Sequence, residues 1–118
     1  MEDSLYNYTA KVVSVYDGDT CRVDIDLGLS TWIHNESIRL HRINAPEVRG
    51  EEREAGLAAR DFLRDLIEGR EIVLQTIKDK KGKYGRYLGE IWIEHQGQKI
   101  NVNDFIVANG HAIFKDYS

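Results

Sequence analysis

Charged side chains of both signs lie close together around the only proline of the chain. Arg39 and Arg42 belong to a segment in which apolar and long polar residues alternate, which predicts a strand, and Glu47 follows Pro46 directly. Proline has no backbone donor and a fixed φ, so the strand ends before it and the chain turns. Guanidinium groups suit anion binding and a carboxylate can move a proton. The segment therefore indicates a functional site, whose other parts must come from elsewhere.

A second cluster of charge is basic. Four lysines and one arginine fall within nine residues, opposed there only by Asp79. They are Lys78, Lys80, Lys81, Lys83 and Arg86. The net charge of −4 argues against a general polyanion binder, but a polarised surface can still attract phosphates at one face. The alternative is that these residues form only a solvated, mobile hairpin loop.

The elements that position these groups follow in the order three strands, a helix, two strands and a helix. Strands are predicted over 6–16, 21–27, from Ile38 to the Pro46 turn, 72–77 and 87–94, and helices over 51–68 and 102–109. A basic loop is predicted over 79–85. Five short strands with an inserted helix favour an α+β fold of OB type. This is a five-stranded barrel with one long helix after strand 3 and a short helix near the C-terminus, in a single domain spanning 1–118.

Several local expectations accompany this fold. Residues 28–37 are predicted to form a loop with at most a short strand around 32–33, and a change of phase predicts a bulge near residues 12–13. Ile113 and Phe114 are expected to pack back on the core. Cys21 lies on the apolar phase of a strand and is expected to be a small core residue. Asp19 shares that phase, where a carboxylate is costly unless it lies at the rim or is paired with a cation or metal.

Composition limits the functional classes. No apolar run approaches the roughly 20 residues of a membrane span, and the first residues lack the features of a signal peptide. A lone cysteine cannot form an internal disulfide, which fits a reducing compartment. We therefore expect a monomeric cytoplasmic protein with no membrane partner.

Four motifs together resemble the staphylococcal nuclease (thermonuclease) family over roughly residues 8–115. They are Asp17-Gly18-Asp19-Thr20, the strand and turn from Arg39 to Glu47, Lys83-Tyr84-Gly85-Arg86, and Val102-Asn103 ahead of Asn109-Gly110. The first motif alone is weak because Asp-Gly turns are common. The combination of motifs, in this order and strand context, is specific.

The resemblance implies an OB-fold barrel and Ca²⁺-dependent, sequence-nonspecific hydrolysis of phosphodiester bonds in DNA, RNA or both. By this resemblance Asp19 would be the principal metal carboxylate, Asn44 would stand where the family usually has an aspartate ligand, and the Ala45 carbonyl would complete the set. The implied catalytic residues are Arg39 and Arg86 for the phosphate and Glu47 for the attacking water. The expected substrate-binding residues are Tyr84, which resembles a tyrosine near the nucleotide, and Lys80, Lys81 and Lys83 of the basic loop.

Each assignment has an alternative. Asp19 could cap the Asp-Gly turn, Arg39 and Arg86 could be solvated strand residues, and Glu47 could be favoured by a helix dipole. Asn44 removes one negative charge from the metal site, so metal affinity should fall. The competing functions are a catalytically weak or inactive nucleic-acid or protein-binding module on the same fold, and an OB-like interaction domain with no nucleic-acid role.

Overall fold

The computed structural model describes residues 6–82 and 84–115, with the backbone alone at residue 80. The strands are β1 (Asn7–Asp17), β2 (Thr20–Gly28), β3 (Thr31–Leu40), β4 (Ile43–Asn44), β5 (Glu71–Lys81), β6 (Tyr87–His95), β7 (Gln98–Asn101) and β8 (Ile113–Phe114). The helices are α1 (Arg53–Ile67), which follows a 3₁₀ turn at Gly50–Glu52, and α2 (Val102–Ala108).

Five strands close into a barrel, as the sequence predicts. Antiparallel pairs join β3, β2, β1, β5 and β6 in that order, and a parallel pairing of β3 with β6 closes the ring. β7 extends the sheet beyond β6, while β4 and β8 form a separate small sheet. The order of strands and helices is that of an α+β OB fold, with α1 after strand β3 and its short β4 extension.

The barrel core is aliphatic and is sealed on one side by α1. The buried face of this helix comprises Gly56, Ala59, Leu63 and Ile67, at the spacing of an amphipathic helix. Its two small residues permit close approach, and its two large residues fill the core. Neither helix within the described residues is long and apolar enough to cross a membrane.

The prediction of a loop over 28–37 is wrong, because β3 already begins at Thr31. Only a tight turn at Leu29 and Ser30 separates β2 from β3, with positive φ values of 54° and 62°. The first half of β3 is exposed at consecutive positions, and therefore on both faces of the strand, so its sequence lacks the alternation of a half-buried strand. Two irregularities in the pairing of β2 with β3 also disturb the alternation on which the prediction rested.

Other boundaries and packing expectations also need adjustment. β5 continues to Lys81, past its predicted end at Ile77, because a break in register after Thr76 allows pairing to resume. Ile113 and Phe114 do not pack on the core: they are 64% and 57% exposed and pair with β4. By contrast, the bulge near residue 13 and the burial of Cys21 are confirmed.

Candidate functional site

Asp19 lies in the turn between β1 and β2 and is only 6% exposed. Its carboxylate accepts hydrogen bonds from the Thr20 hydroxyl (3.0 Å, to Oδ1) and from the Ala45 amide (2.8 Å, to Oδ2). The turn itself is capped by Asp17, whose Oδ1 accepts the Asp19 amide at 3.0 Å. Asp19 therefore binds the loop after β4, and the capping role belongs to its neighbour.

Two close approaches hold this turn and the loop against α1. A Cβ atom on Gly18 would lie 2.7 Å from the Cβ atoms of both Ala45 and Ala59. A Cβ atom on Gly56 would lie 1.8 Å from the Glu47 carbonyl oxygen. The small residues thus allow strand turn, loop and helix to meet, and this contact fixes where Asp19 and the Glu47 backbone lie.

Arg39, near the end of β3, extends its side chain toward Asp19. Its Nη1 donates to the carbonyl oxygens of Leu40 (2.7 Å) and Ile43 (3.0 Å). Its Nη2 donates to Asn44 Oδ1 (3.2 Å) and lies 3.3 Å from Asp19 Oδ2, with both partners of that ion pair largely buried. The guanidinium is therefore locked in position by the turn at the end of its own strand, rather than solvated.

Arg86 reaches the site from the start of β6. Its Nη1 lies 3.5 Å from Thr20 Oγ1, and the same hydroxyl contacts Asp19. The guanidinium also stands 5.4 Å from the centre of the Tyr84 ring, which is 73% exposed. Thr20 thereby links Arg86 to Asp19, so the structure brings Asp19, Arg39, Asn44, Ala45 and Arg86 together.

Glu47 and Lys81, two further predicted residues that the structure describes, lie outside this group. Glu47 is exposed, and its side chain makes no hydrogen bond to Asp19 or Arg39 within the described part of the chain. Lys81 pairs with Glu36 at 3.3 Å and stands over the Tyr87 ring. Lys83 and the side chain of Lys80 lie outside the described residues.

Asp17 and Thr20 complete the site, although the sequence analysis assigned neither a role. Burial, and then the charge of Asp19, raises the pKa of Asp17 to about 7. Thr20 joins the carboxylate of Asp19 to Arg86. Both residues flank Asp19 in one motif, and that adjacency was the available signal.

The donor chemistry of the site fits a hard cation that binds through oxygen. Asp19 Oδ2 and Asn44 Oδ1 both contact the same positively charged nitrogen of Arg39, at 3.3 and 3.2 Å. The Ala45 carbonyl belongs to the adjacent residue. Carboxylate, amide and backbone carbonyl oxygens are the ligands that Ca²⁺ uses in proteins. Among the residues described, no three Asp, Glu, His or Cys side chains gather at one point, so the set carries little negative charge.

Comparison with known proteins finds a matching family. The sequence profile of the staphylococcal nuclease homologue family matches residues 37–118, which include the end of β3, the Asn44–Glu47 loop and Arg86. The chain belongs to this family. An uncharacterized protein of Methanocaldococcus jannaschii is 30% identical over 125 aligned positions, covering 93% of this chain and 60% of that protein. The chain thus spans less than two thirds of the length of that relative.

Membership of the staphylococcal nuclease homologue family accounts for the barrel with its inserted helix. The profile begins within β3, so Asp19 lies outside the matched residues. Its contacts with Ala45 and Arg39, both inside that range, join it to the matched part of the chain.

Proposed function

We propose that this protein is a metal-dependent, sequence-nonspecific nuclease that hydrolyses phosphodiester bonds of DNA, RNA or both, with Ca²⁺ as the metal. Membership of a nuclease-type family supports the class. The observation that carries the proposal is the meeting of two arginines with one buried carboxylate. Arg39 contacts Asp19 directly and Arg86 contacts it through Thr20.

The two arginines suit an anionic substrate. A guanidinium stays charged and presents parallel donors to two phosphate oxygens. Arg39 is fixed by three neutral oxygen acceptors, so little of its side-chain freedom remains to be lost on binding. Arg86, held beside the exposed Tyr84, would stabilise charge that develops on the phosphate oxygens in the transition state.

Metal and water complete the proposed chemistry. Asp19, Asn44 and the Ala45 carbonyl would hold Ca²⁺, which when bound supplies a Lewis acid that offsets the phosphodiester charge. Glu47 would accept a proton from the attacking water, an effect typically worth about 10²–10⁴ in rate. Glu47 is exposed and lies two residues after Ala45 in the chain. The close approach of its carbonyl to Gly56 fixes its backbone against α1.

One observation favours the second candidate, a nucleic-acid-binding module with weak or no catalysis. Asp19 is the single carboxylate in the proposed ligand set, and it is already paired with Arg39. A low metal affinity would leave the arginines able to bind phosphate without cleavage.

A cleavage assay separates the two candidates. Labelled single-stranded DNA and RNA are incubated with the protein and Ca²⁺, Mg²⁺ or Mn²⁺, with and without chelator, beside Glu47→Ala. The nuclease proposal expects cleavage that chelator abolishes and that Glu47→Ala lowers by about 10²-fold or more. Salt-sensitive binding with no cleavage under any metal would favour the binding module and overturn the nuclease.

A further inference from the structure

The loop that carries Glu47 is tied to the barrel at two points. At its start, the Ala45 amide donates to Asp19 at 2.8 Å. At its end, Arg49 Nη2 donates to the Tyr16 hydroxyl at 2.7 Å. The hydrogen bond from Arg49 to Tyr16 connects the loop to the end of β1. Neither residue has a role in the proposed chemistry.

Tyr16 owes its position to a β-bulge. Val15 pairs with Cys21 and Asp17 pairs with Thr20, so Tyr16 is an extra residue on β1 with no partner on β2. A bulge redirects side chains, and such bulges are frequent beside active sites. Here the bulge leaves the Tyr16 ring 54% exposed while the adjacent Asp17 is buried.

Arg49 is an exposed cation near the end of the loop that carries Glu47. Within the described residues no carboxylate oxygen lies within 4.0 Å of its guanidinium, whereas Arg39 and Arg42 both have such partners. The hydrogen bond to Tyr16 is the main cause that raises the pKa of Arg49, and the charge of Glu47 makes a smaller contribution. The side chain of Arg49 is exposed, so its guanidinium is accessible to a ligand.

A second exposed tyrosine lies beside an arginine at Tyr84 and Arg86, and no carboxylate among the residues that the structure describes forms an ion pair with Arg86. Proteins that bind single-stranded nucleic acids commonly use aromatic and cationic side chains. Every base offers a face on which an aromatic ring can stack, and every linkage offers a phosphate to a cation. Tyr16 lies three residues before Asp19 in the chain, and Arg86 reaches the Asp19 turn through its contact with Thr20.

We propose that Tyr16 and Arg49 form a nucleotide subsite beside Glu47, where Arg49 binds a backbone phosphate of a single strand and Tyr16 stacks on a base. This inference rests on the nucleic-acid substrate of the proposed function and extends it, because it names the strand form and a second point of contact. The hydrogen bond between the two side chains presets the arginine for the phosphate.

Binding without cleavage tests the subsite. The affinity of a dye-labelled, mixed-sequence single strand of about eight nucleotides is measured by fluorescence anisotropy in EDTA at several salt concentrations. Arg49→Gln should weaken binding about 3–10-fold and reduce the slope of log affinity against log salt by about 0.7. Tyr16→Leu should weaken binding similarly without changing that slope, and Tyr16→Phe should weaken it less because the ring remains.

Lys11→Gln is the matched control. It removes one positive charge from the exposed side of β1, five residues from Tyr16 and thus roughly 17 Å away along the strand. Equal effects of Arg49→Gln and Lys11→Gln, or full binding by Tyr16→Leu, would overturn the subsite. If the parent protein cleaves DNA but Arg49→Gln binds normally, only the subsite fails. If binding depends on Arg49 and no metal supports cleavage, the subsite stands and the nuclease proposal fails.

Discussion

Asn44 is the residue at which, by the family resemblance, the proposed metal site has an amide in place of the usual aspartate. Its amide oxygen accepts a hydrogen bond from Arg39, whose guanidinium also contacts Asp19. A neutral oxygen in place of a carboxylate leaves Asp19 as the single anionic ligand of the proposed set. The charge count of a Ca²⁺ site tunes its affinity, so the departure should weaken the metal rather than exclude it.

Replacing Asn44 with aspartate should therefore tighten Ca²⁺ binding. We expect a gain of about tenfold in affinity, measured by isothermal titration calorimetry without substrate, because a second carboxylate is added to the oxygen set. Asn35→Asp makes the same change on an exposed part of β3 and should leave Ca²⁺ affinity unchanged. Unchanged or weaker binding in Asn44→Asp would place residue 44 outside the metal site.

Among the secondary-structure elements, α2 is joined to the barrel closure by one fully buried side chain. Asn103 Nδ2 donates to the carbonyl oxygens of His41 (2.9 Å) and Gly89 (3.0 Å), and its Oδ1 accepts the Ile91 amide (3.2 Å). His41 opens the turn that leads to Asn44, so this asparagine supports the loop that carries the site.

Asn103→Ala should lower the free energy of unfolding by about 3 kcal/mol, because it leaves buried backbone groups without this partner. Urea denaturation measures the loss. Asn101→Ala, which removes the N-cap acceptor of the Asp104 amide and a donor to Glu90 Oε1, is the control and should cost about 1–2 kcal/mol. Equal costs for the two variants would show that the buried contacts add nothing beyond an ordinary cap.

The break in register of β5 produces a second polar contact between elements. The Tyr8 hydroxyl on β1 donates to Asp79 Oδ2 at 2.6 Å, and the Thr76 hydroxyl donates to the other oxygen of Asp79. Positive φ values at Lys78 and Asp79 turn the chain so that the carboxylate faces β1. This contact fixes the start of the basic loop at Asp79.

The Tyr8 contact should give stability a dependence on alkaline pH. The hydrogen bond to Asp79, and then burial, raises the pKa of Tyr8 to about 12 from its usual 10.0. The folded state therefore favours the neutral phenol: its contribution is complete below pH 10.0 and is lost as pH rises through about 12. Tyr8→Phe should remove this loss between pH 10.0 and 12, as followed by urea unfolding.

Asp79→Ala is the companion variant, because it removes both the acceptor and the charge. The pKa of Tyr8 should then fall toward 10, followed by tyrosinate absorbance as the difference between Asp79→Ala and Asp79→Ala/Tyr8→Phe. A Tyr8 titration that stays near 12 in Asp79→Ala would contradict the assigned cause.

For the molecule as a whole, the sequence predicted the barrel because its core strands alternate and its helix has a clear apolar stripe. It failed at β3, where the turn depends on positive φ at Leu29 and Ser30, residues with no strong preference for that conformation. It also failed for Ile113 and Phe114, because apolar composition alone does not determine burial and these residues pair at an exposed edge.

The sequence motifs predicted most residues of the candidate site. They did not predict the contacts between the side chains of those residues. The motifs identified Asp19, Arg39 and Arg86. Only the fold, however, places the Thr20 hydroxyl between the Asp19 carboxylate and the Arg86 guanidinium, which are far apart in sequence. Asp17 and the Tyr16–Arg49 contact were missed, because a bulge and a loop of irregular backbone place them. Irregular backbone follows from tertiary packing, such as the contact of Gly56 with Glu47, which periodicity does not reveal.

The single-turnover rate of DNA cleavage by Arg86→Ala, relative to the parent protein at saturating Ca²⁺, tests the central claim most directly. Arg86 donates toward Thr20 beside Asp19 and has no part in the proposed metal set, so Ca²⁺ affinity should be unchanged. We predict a rate lower by about 10²–10³-fold, the usual cost of one transition-state donor. Cleavage by Arg86→Ala at the parental rate would contradict the account.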